Sequence, residues 1–323
     1  MLGQPMQARL AAFDEIPIVD ISGAADPKRR ADLVRDVVSV AERVGFMYVV
    51  GHGVGDDTFD RVFDMSRRFF DLPESEKRKI HITRSPQYRG YLGLLEKGDT
   101  DPTFKGNNLE AFHCAAELGP EHPDVTMGLP LRGPNLWPDA VEGFRDTIHT
   151  YYQRTFQVGT TLLELFAEGL DRPRDFFTRH YRHSLAQLRL LRYAQIDDPR
   201  VELLARSHCD SGVITLLSQD DTGGLQVLNK AGQWIDAPPL KGAYIINIGN
   251  TLQFWTKGRF SSTNHRVANR GGVPRFSMPF FMTPDYETIV RPIGSENDPT
   301  APAFHVGDEM LATYRRVWPS ATR

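Results

Sequence analysis

Residues Ser207–Leu217 read SHCDSGVITLL. The apolar end, Val213–Leu217, has the β-branched and aliphatic content of a strand. The polar start sets a histidine and an aspartate two positions apart. On an extended chain residues i and i+2 point to one face. His208 and Asp210 are therefore expected to aim an imidazole and a carboxylate at one point. Cys209 turns the other way and reads as a small buried thiol. Bringing the two polar groups together is costly unless something binds between them.

The text downstream supports a rolled sheet around that point. From about residue 184 the hydrophobic period changes from helical to alternating. The runs LAQLRLLRYAQI, GVITLLS, GLQVLN, QWIDAP, AYIINIG, TLQFWT, STNHRVA and RFSMPFFMTP are divided by turn signals such as DDTGG, NKAGQ and NRGGVP. Many short strands at this spacing predict a sandwich, jelly roll or barrel. Upstream, IPIVDIS and FMYVVGHGV read as strands. Leu33, Val37, Val40, Ala41 and Val44 make one helical stripe; Phe59, Val62, Phe63, Ser66, Phe69 and Phe70 make another, as core packing. LWPDAVEGFRDTIHTYYQRTFQVGTTLLELFAEGLD reads as one long helix or two, PRDFFTRHY starts a short one, and VGDEMLATYRRVW is a C-terminal helix. Residues 80–135 read as loops with short strands at YRGYLG and NLEAFHC.

Composition bounds the function classes. With 323 residues, 40% hydrophobic and 24% charged, the chain can bury a sizeable core without covalent staples. A formal charge of −3 argues against a nucleic-acid footprint or a polybasic membrane patch. No apolar run approaches the roughly 20 residues that span a bilayer. The opening MLGQPMQARLAAFDE lacks the apolar core of a secretory signal. Cys114 and Cys209 form no C-x-x-C. These features predict a cytoplasmic protein with no nucleic-acid or membrane partner.

His208 and Asp210 need a third ligand, and SSTNHRVAN supplies His265 on an expected strand. Two histidines and one carboxylate on one face make the facial triad of non-haem Fe(II) sites. Such a triad leaves adjacent coordination positions open for substrate and O2. RFS then places Arg275 and Ser277 on one strand face, where a guanidinium fork and a hydroxyl form a carboxylate clamp. A metal with open positions beside such a clamp suits a 2-oxoacid bound at both ends.

With these residues in place, the chain resembles the isopenicillin N synthase-like branch of the 2-oxoglutarate/Fe(II)-dependent dioxygenases. The H-x-D…H…R-x-S pattern stands as His208, Asp210, His265, Arg275 and Ser277. GGLQV, INIGNTLQFWTKGRFSSTNHRV and RFSMPFF match around it, and GFMYVVGHGV, FFDLPESEK, RGY and GPNLWPD match upstream. The resemblance implies an α+β fold with a mainly β core, a distorted double-stranded β-helix or jelly roll with a helical N-terminal region and a C-terminal helix. It implies an N-terminal non-haem dioxygenase region at 1–135, helical support at 136–183, the jelly-roll core at 184–290, and at 291–323 a C-terminal helix placed to act as a lid. It implies Fe(II) on His208, Asp210 and His265, which are then the catalytic residues. It implies 2-oxoglutarate on Arg275, Ser277 and Tyr193, with O2 as the oxidant. Oxidative decarboxylation to succinate and CO2 would accompany hydroxylation, desaturation or ring closure of a small molecule, in keeping with biosynthesis in specialised metabolism. Relatives often carry Asn two residues before the tyrosine and Pro after it, where this chain has Leu191 and Ala194.

Substrate candidates follow from strand faces. Phe281 shares the clamp's face, and Arg189 and Leu191 share Tyr193's. Arg189 points either to a substrate carboxylate or into an ion pair at the barrel mouth. Arg89, Tyr91 and Phe112 lie where some relatives contact substrate, with structural roles open for each. His180 and His183, spaced i and i+3, read as solvated or helix-end groups, and His52 as the hydrogen-bonded close of a strand turn. Two rival readings stay open: a same-fold iron oxidase that uses no 2-oxoglutarate, and a non-catalytic jelly-roll ligand-binding protein.

Overall fold

The computed structural model describes residues 9–10, 16–94, 108–198 and 200–317. In chain order the N-terminal elements are β1 (Arg9–Leu10), β2 (Ile18–Asp20), α1 (Pro27–Arg43), β3 (Phe46–Val50), α2 (Asp56–Phe70), α3 (Glu74–Lys77), β4 (Gly90–Leu92), β5 (Leu109–Ala115), α4 (Pro123–Thr126) and α5 (Phe144–Gly169). Then follow β6 (Gln187–Tyr193), β7 (Leu203–His208), β8 (Ile214–Gln219), β9 (Leu225–Leu228), β10 (Trp234–Asp236), β11 (Tyr244–Ile248), α6 (Asn250–Trp255), β12 (His265–Ala268), β13 (Arg275–Met282), β14 (Ile289–Val290), β15 (Phe304–His305) and α7 (Val306–Val317).

Two sheets make the jelly roll. The larger runs β2-β3-β11-β8-β13-β6-β5-β4 and the smaller β1-β10-β9-β12-β7. Alternation on β13 shows how the larger sheet divides space. Arg275, Ser277, Pro279 and Phe281 face the cavity between the sheets, while Phe276, Met278, Phe280 and Met282 are buried on the other face. That other face is covered by α5. The Phe280 and Tyr152 rings sit 4.9 Å apart, Tyr151 Oη lies 2.8 Å from Ser218 Oγ, and Thr155 Oγ1 lies 2.8 Å from Tyr244 Oη. Gly159 permits the approach, because a Cβ there would fall 2.6 Å from Met282 Sδ.

The long apolar run is therefore one helix. The stripe from Phe144 through Tyr151, Leu162 and Phe166 is buried. Its expected first residues, before Phe144, form turns instead. In PRDFFTRHY only Thr178–His180 is helical, as a short 3-10 turn, so His180 and His183 share no helix face. TLQFWT is not a strand but α6, whose Leu252 and Trp255 are buried at i, i+3 spacing. Residues 95–107 of the expected 80–135 loops lie outside the described residues. His52 does close its turn: Nε2 lies 2.9 Å from Gly242 O, and Nδ1 accepts from Val54 N at 3.1 Å.

Candidate active site

The opening stretch is not one strand. β7 ends at His208, β8 begins at Ile214, and Asp210 lies in the turn between them. Expected strand alternation therefore does not explain why His208 and Asp210 meet. The turn is instead gripped by the start of α6. Asn250 N donates to Asp210 O at 2.7 Å, and Thr251 Oγ1 donates to Ser211 O at 2.7 Å. His265 arrives from the next strand: it opens β12 and is the register partner of His208.

The three side chains converge through one atom each. His208 Nε2 lies 3.8 Å from Asp210 Oδ1, and His265 Nε2 lies 3.9 Å from it. The other ring nitrogens are turned outward to backbone carbonyls, Nδ1 of His208 to Arg206 O at 2.8 Å and Nδ1 of His265 to Thr263 O at 3.3 Å. Those contacts fix the tautomer that leaves Nε2 as a lone-pair donor. The other carboxylate oxygen, Oδ2, accepts from Thr215 Oγ1 at 2.5 Å and from Asn247 Nδ2 at 2.7 Å. Burial alone would raise the Asp210 pKa; the His265 ring, those two hydrogen bonds and the His208 ring outweigh it and hold the carboxyl below its ordinary value. Burial lowers His265 against the pull of Asp210, which favours a neutral imidazole. An anionic oxygen and two imidazole nitrogens at bridging separation fit a ferrous ion.

A second His–Asp–His group, His122, Asp124 and His183, is brought together as well. There the Asp124 carboxylate is already paired with Arg132.

The expected clamp residues lie on the cavity side of β13. Arg275 is 2% exposed. Its Nε donates to Gly223 O at 2.6 Å, Nη1 to Ser277 Oγ at 2.9 Å and Nη2 to Gln219 Oε1 at 3.1 Å. Tyr193 is its partner across the β13–β6 ladder, with the guanidinium 5.1 Å from the ring centroid. Burial raises the Tyr193 hydroxyl pKa, so it stays a donor.

The cavity between the sheets measures about 580 Å³ and is lined by the triad and Val267 from the side of the smaller sheet and the turn after it, and by the clamp, Arg189, Leu191 and Phe281 from the larger sheet. α7 closes its other side with Met310, Thr313, Tyr314 and Val317. Arg89, Tyr91 and Phe112 do not line this cavity. Arg89 is buried among the carbonyls of Ala116, Leu131 and Gly133. The Tyr91 hydroxyl meets the Glu74 and Glu110 carboxylates at 2.8 and 2.6 Å. Phe112 packs on Phe69 and Phe144, with centroids 5.4 and 5.2 Å away. The reason is one residue of phase: on β5 the register puts His113 opposite Arg189, so Phe112 faces the helices. Sequence reading also missed Thr215, Asn247, Gln219 and Thr251. Asn247 had a signal, a lone amide inside the apolar run YIINI.

Comparison with known proteins agrees with this geometry. Residues 16–140 match the non-haem dioxygenase N-terminal family described from morphine synthesis, and residues 183–284 match the 2OG-Fe(II) oxygenase superfamily. A 2-oxoglutarate-Fe(II) type oxidoreductase of Emericella nidulans is 34% identical over 319 residues, covering 94% of this chain and 90% of that protein. A homoarginine-6-hydroxylase of Arabidopsis thaliana is 33% identical over 290 residues, covering 86% and 80%. The crystal structure of a full-length Neurospora crassa protein in complex with α-KG and thymine superposes with a TM-score of 0.79 at 25% identity, covering 96% of this chain and 99% of that one. Facial triad, jelly roll and sequence kinship lead to one assignment: the chain belongs to the 2-oxoglutarate/Fe(II)-dependent oxygenases, enzymes whose cofactors are Fe(II) and 2-oxoglutarate.

Proposed function

We propose that His208, Asp210 and His265 hold Fe(II), that Arg275, Ser277 and Tyr193 hold the distal carboxylate of 2-oxoglutarate, and that the protein hydroxylates a small molecule admitted beside Phe281. The observation that carries this reading is the convergence of two Nε2 atoms on Asp210 Oδ1 while every other polar atom of the triad is held elsewhere. Iron in that pocket supplies O2 activation coupled to oxidative decarboxylation of 2-oxoglutarate. The chain does the rest. Arg275 retains an N–H on each terminal nitrogen beyond those already donated, enough for a bidentate carboxylate. Ser277 and Tyr193 add hydroxyls beside it. Thr215 and Asn247 keep Asp210 from rotating.

The enclosing sheets and α7 limit water at the reacting carbon. Two unpaired cysteines support a reducing, cytoplasmic setting, and no helix among the described residues is long and apolar enough to cross a membrane. The test is anaerobic Fe(II) titration with 2-oxoglutarate, followed by succinate release on admitting air. His265→Ala should lose iron binding and all succinate formation. Arg275→Ala should keep iron and raise the 2-oxoglutarate requirement at least about tenfold, the effect of losing a charge-assisted pair. An unchanged requirement would remove Arg275 from the clamp, and iron-independent ligand binding with no succinate would favour a non-catalytic role.

A further inference from the structure

The two arginines of β6 differ in what they meet. Arg192, on the helix side, pairs with Asp71 and Glu110 at 3.3 and 3.6 Å. Arg189, on the cavity side, has no carboxylate partner among the described residues. Its guanidinium lies 5.0 Å from the Phe281 ring centroid and meets the neutral Tyr314 hydroxyl, while its buried Nε meets no hydrogen-bond acceptor. Of the acids on the cavity wall, Asp210 belongs to the triad and Glu309 is exposed on α7. A half-buried cation against an aromatic face, without an anion, is poorly solvated and strongly attracts one.

Position tells what accompanies that charge. Thr215, which holds Asp210, is opposite Phe281 on β13, and Phe281 is opposite Gln187 on β6. Arg189 stands two residues on from Gln187. Two strand spacings and two residues put the Cα atoms of Thr215 and Arg189 roughly 12 Å apart. The wall between and beside them is apolar: Phe281, Pro279, Leu191, Met310 and Val317. Polar groups reappear at the Arg189 end, where Tyr314 donates to Gln187 Oε1 and its ring packs at a tilt against Tyr88 with centroids 5.0 Å apart.

Resting on the iron and 2-oxoglutarate reading above, we infer that the substrate is a small monoanionic carboxylic acid with an apolar body. Arg189 is the specificity-determining residue that binds its carboxylate, with the body lying along Phe281 toward the triad. The carboxylate sits at the far end from the oxidised carbon, so it orients the molecule without approaching Arg275.

The probes are 3-phenylpropionate and hexanoate, each beside its primary amide. Wild-type protein loaded with Fe(II) and saturating 2-oxoglutarate under nitrogen is titrated with all four. Binding is followed by calorimetry and by the visible absorption of the iron–2-oxoglutarate complex. At least one acid should bind about ten-fold or more tightly than its amide. Arg189→Met should erase that preference and Arg189→Lys should restore part of it, a rescue that loss of packing alone would not show. Acids that bind no better than amides, acids that do not bind, or a preference that survives Arg189→Met would overturn the inference. The wild-type comparison stands even if a variant fails to fold. Absorption from 2-oxoglutarate is read in the same samples: its presence without an acid preference overturns this inference alone, and its absence overturns the site reading with it.

Discussion

Asp210 shows how much of the proposed iron site is decided by residues outside the triad. One carboxylate oxygen faces the two imidazoles, and the other is tied to Thr215 and Asn247. Cutting either tie frees the carboxylate to rotate and leaves a buried donor or acceptor unpaired. Asn247→Leu and Thr215→Val should each lower Fe(II) affinity by about 10–100-fold, read by anaerobic titration; wild-type affinity in both would show that the turn alone positions Asp210. His113 gives a pH effect at the same scale. It is buried on β5 opposite Arg189; burial first, and then the Arg189 charge, hold its pKa well below the ordinary value. In the unfolded chain it takes a proton below about pH 6.5, and in the folded chain it does not. The unfolded state therefore binds more protons in that window, and stability falls as pH drops from about 6.5 toward the folded pKa, by up to about 1.4 kcal/mol per pH unit. His113→Asn should flatten the change in urea midpoint between about pH 7.5 and 5.5, leaving the smaller slope due to His52, His180 and His265, which burial also lowers. An unaltered slope would mean that His113 titrates normally. That His208, Asp210 and His265 meet, and that Arg275 and Ser277 share a cavity face, could be expected because their side-chain chemistry is conspicuous in apolar surroundings. The places of Arg89, Tyr91 and Phe112 could not, because alternation reveals that a strand has two faces but not which one looks into the cavity.

Among the elements, β13 and α6 stand for two kinds of legibility. β13 was readable despite Pro279, which removes a donor from a strand in mid-sheet. The ladder accommodates it: β6 pairs are formed at Arg275 to Ser277 and again at Phe280 and Phe281, while β8 pairs continuously through Pro279. α6 was misread because TLQFWT has the aromatic and β-branched content of a strand. Tertiary context decides otherwise, since its first turn donates to the carbonyls of residues 210–212. Gly249, just before it, makes that contact possible. A Cβ there would lie 2.1 Å from Gly212 O and 3.2 Å from Asp210 O, and the obstacle is backbone, which cannot swing aside. Gly249→Ala should therefore displace the Asp210 turn, destabilise the fold by about 1–3 kcal/mol and weaken iron binding. A variant with unchanged Tm and iron affinity would show that α6 can retreat without disturbing the triad.

For the whole molecule, the change of hydrophobic period near residue 184 announced a helical half and a β half, and the jelly roll followed from it. What the linear text hid is how the two halves interlock. β3 pairs with β11 at Phe46–Val49, and β5 pairs with β6 along its full length from Leu109 to Ala115. The larger sheet thus has N-terminal strands at both ends and β11, β8, β13 and β6 in the middle. Non-local pairing of this kind carries no local sequence signature, because each partner reads only as a strand. It also means that the two regions matched by separate family descriptions are not two detachable modules. Cutting the chain between them would bare the hydrogen-bonding margins of β11 and β6 at once, turning the inner strands of a sealed sheet into sticky flanks open to intermolecular pairing. A gene split at the seam between the halves is therefore not tolerable.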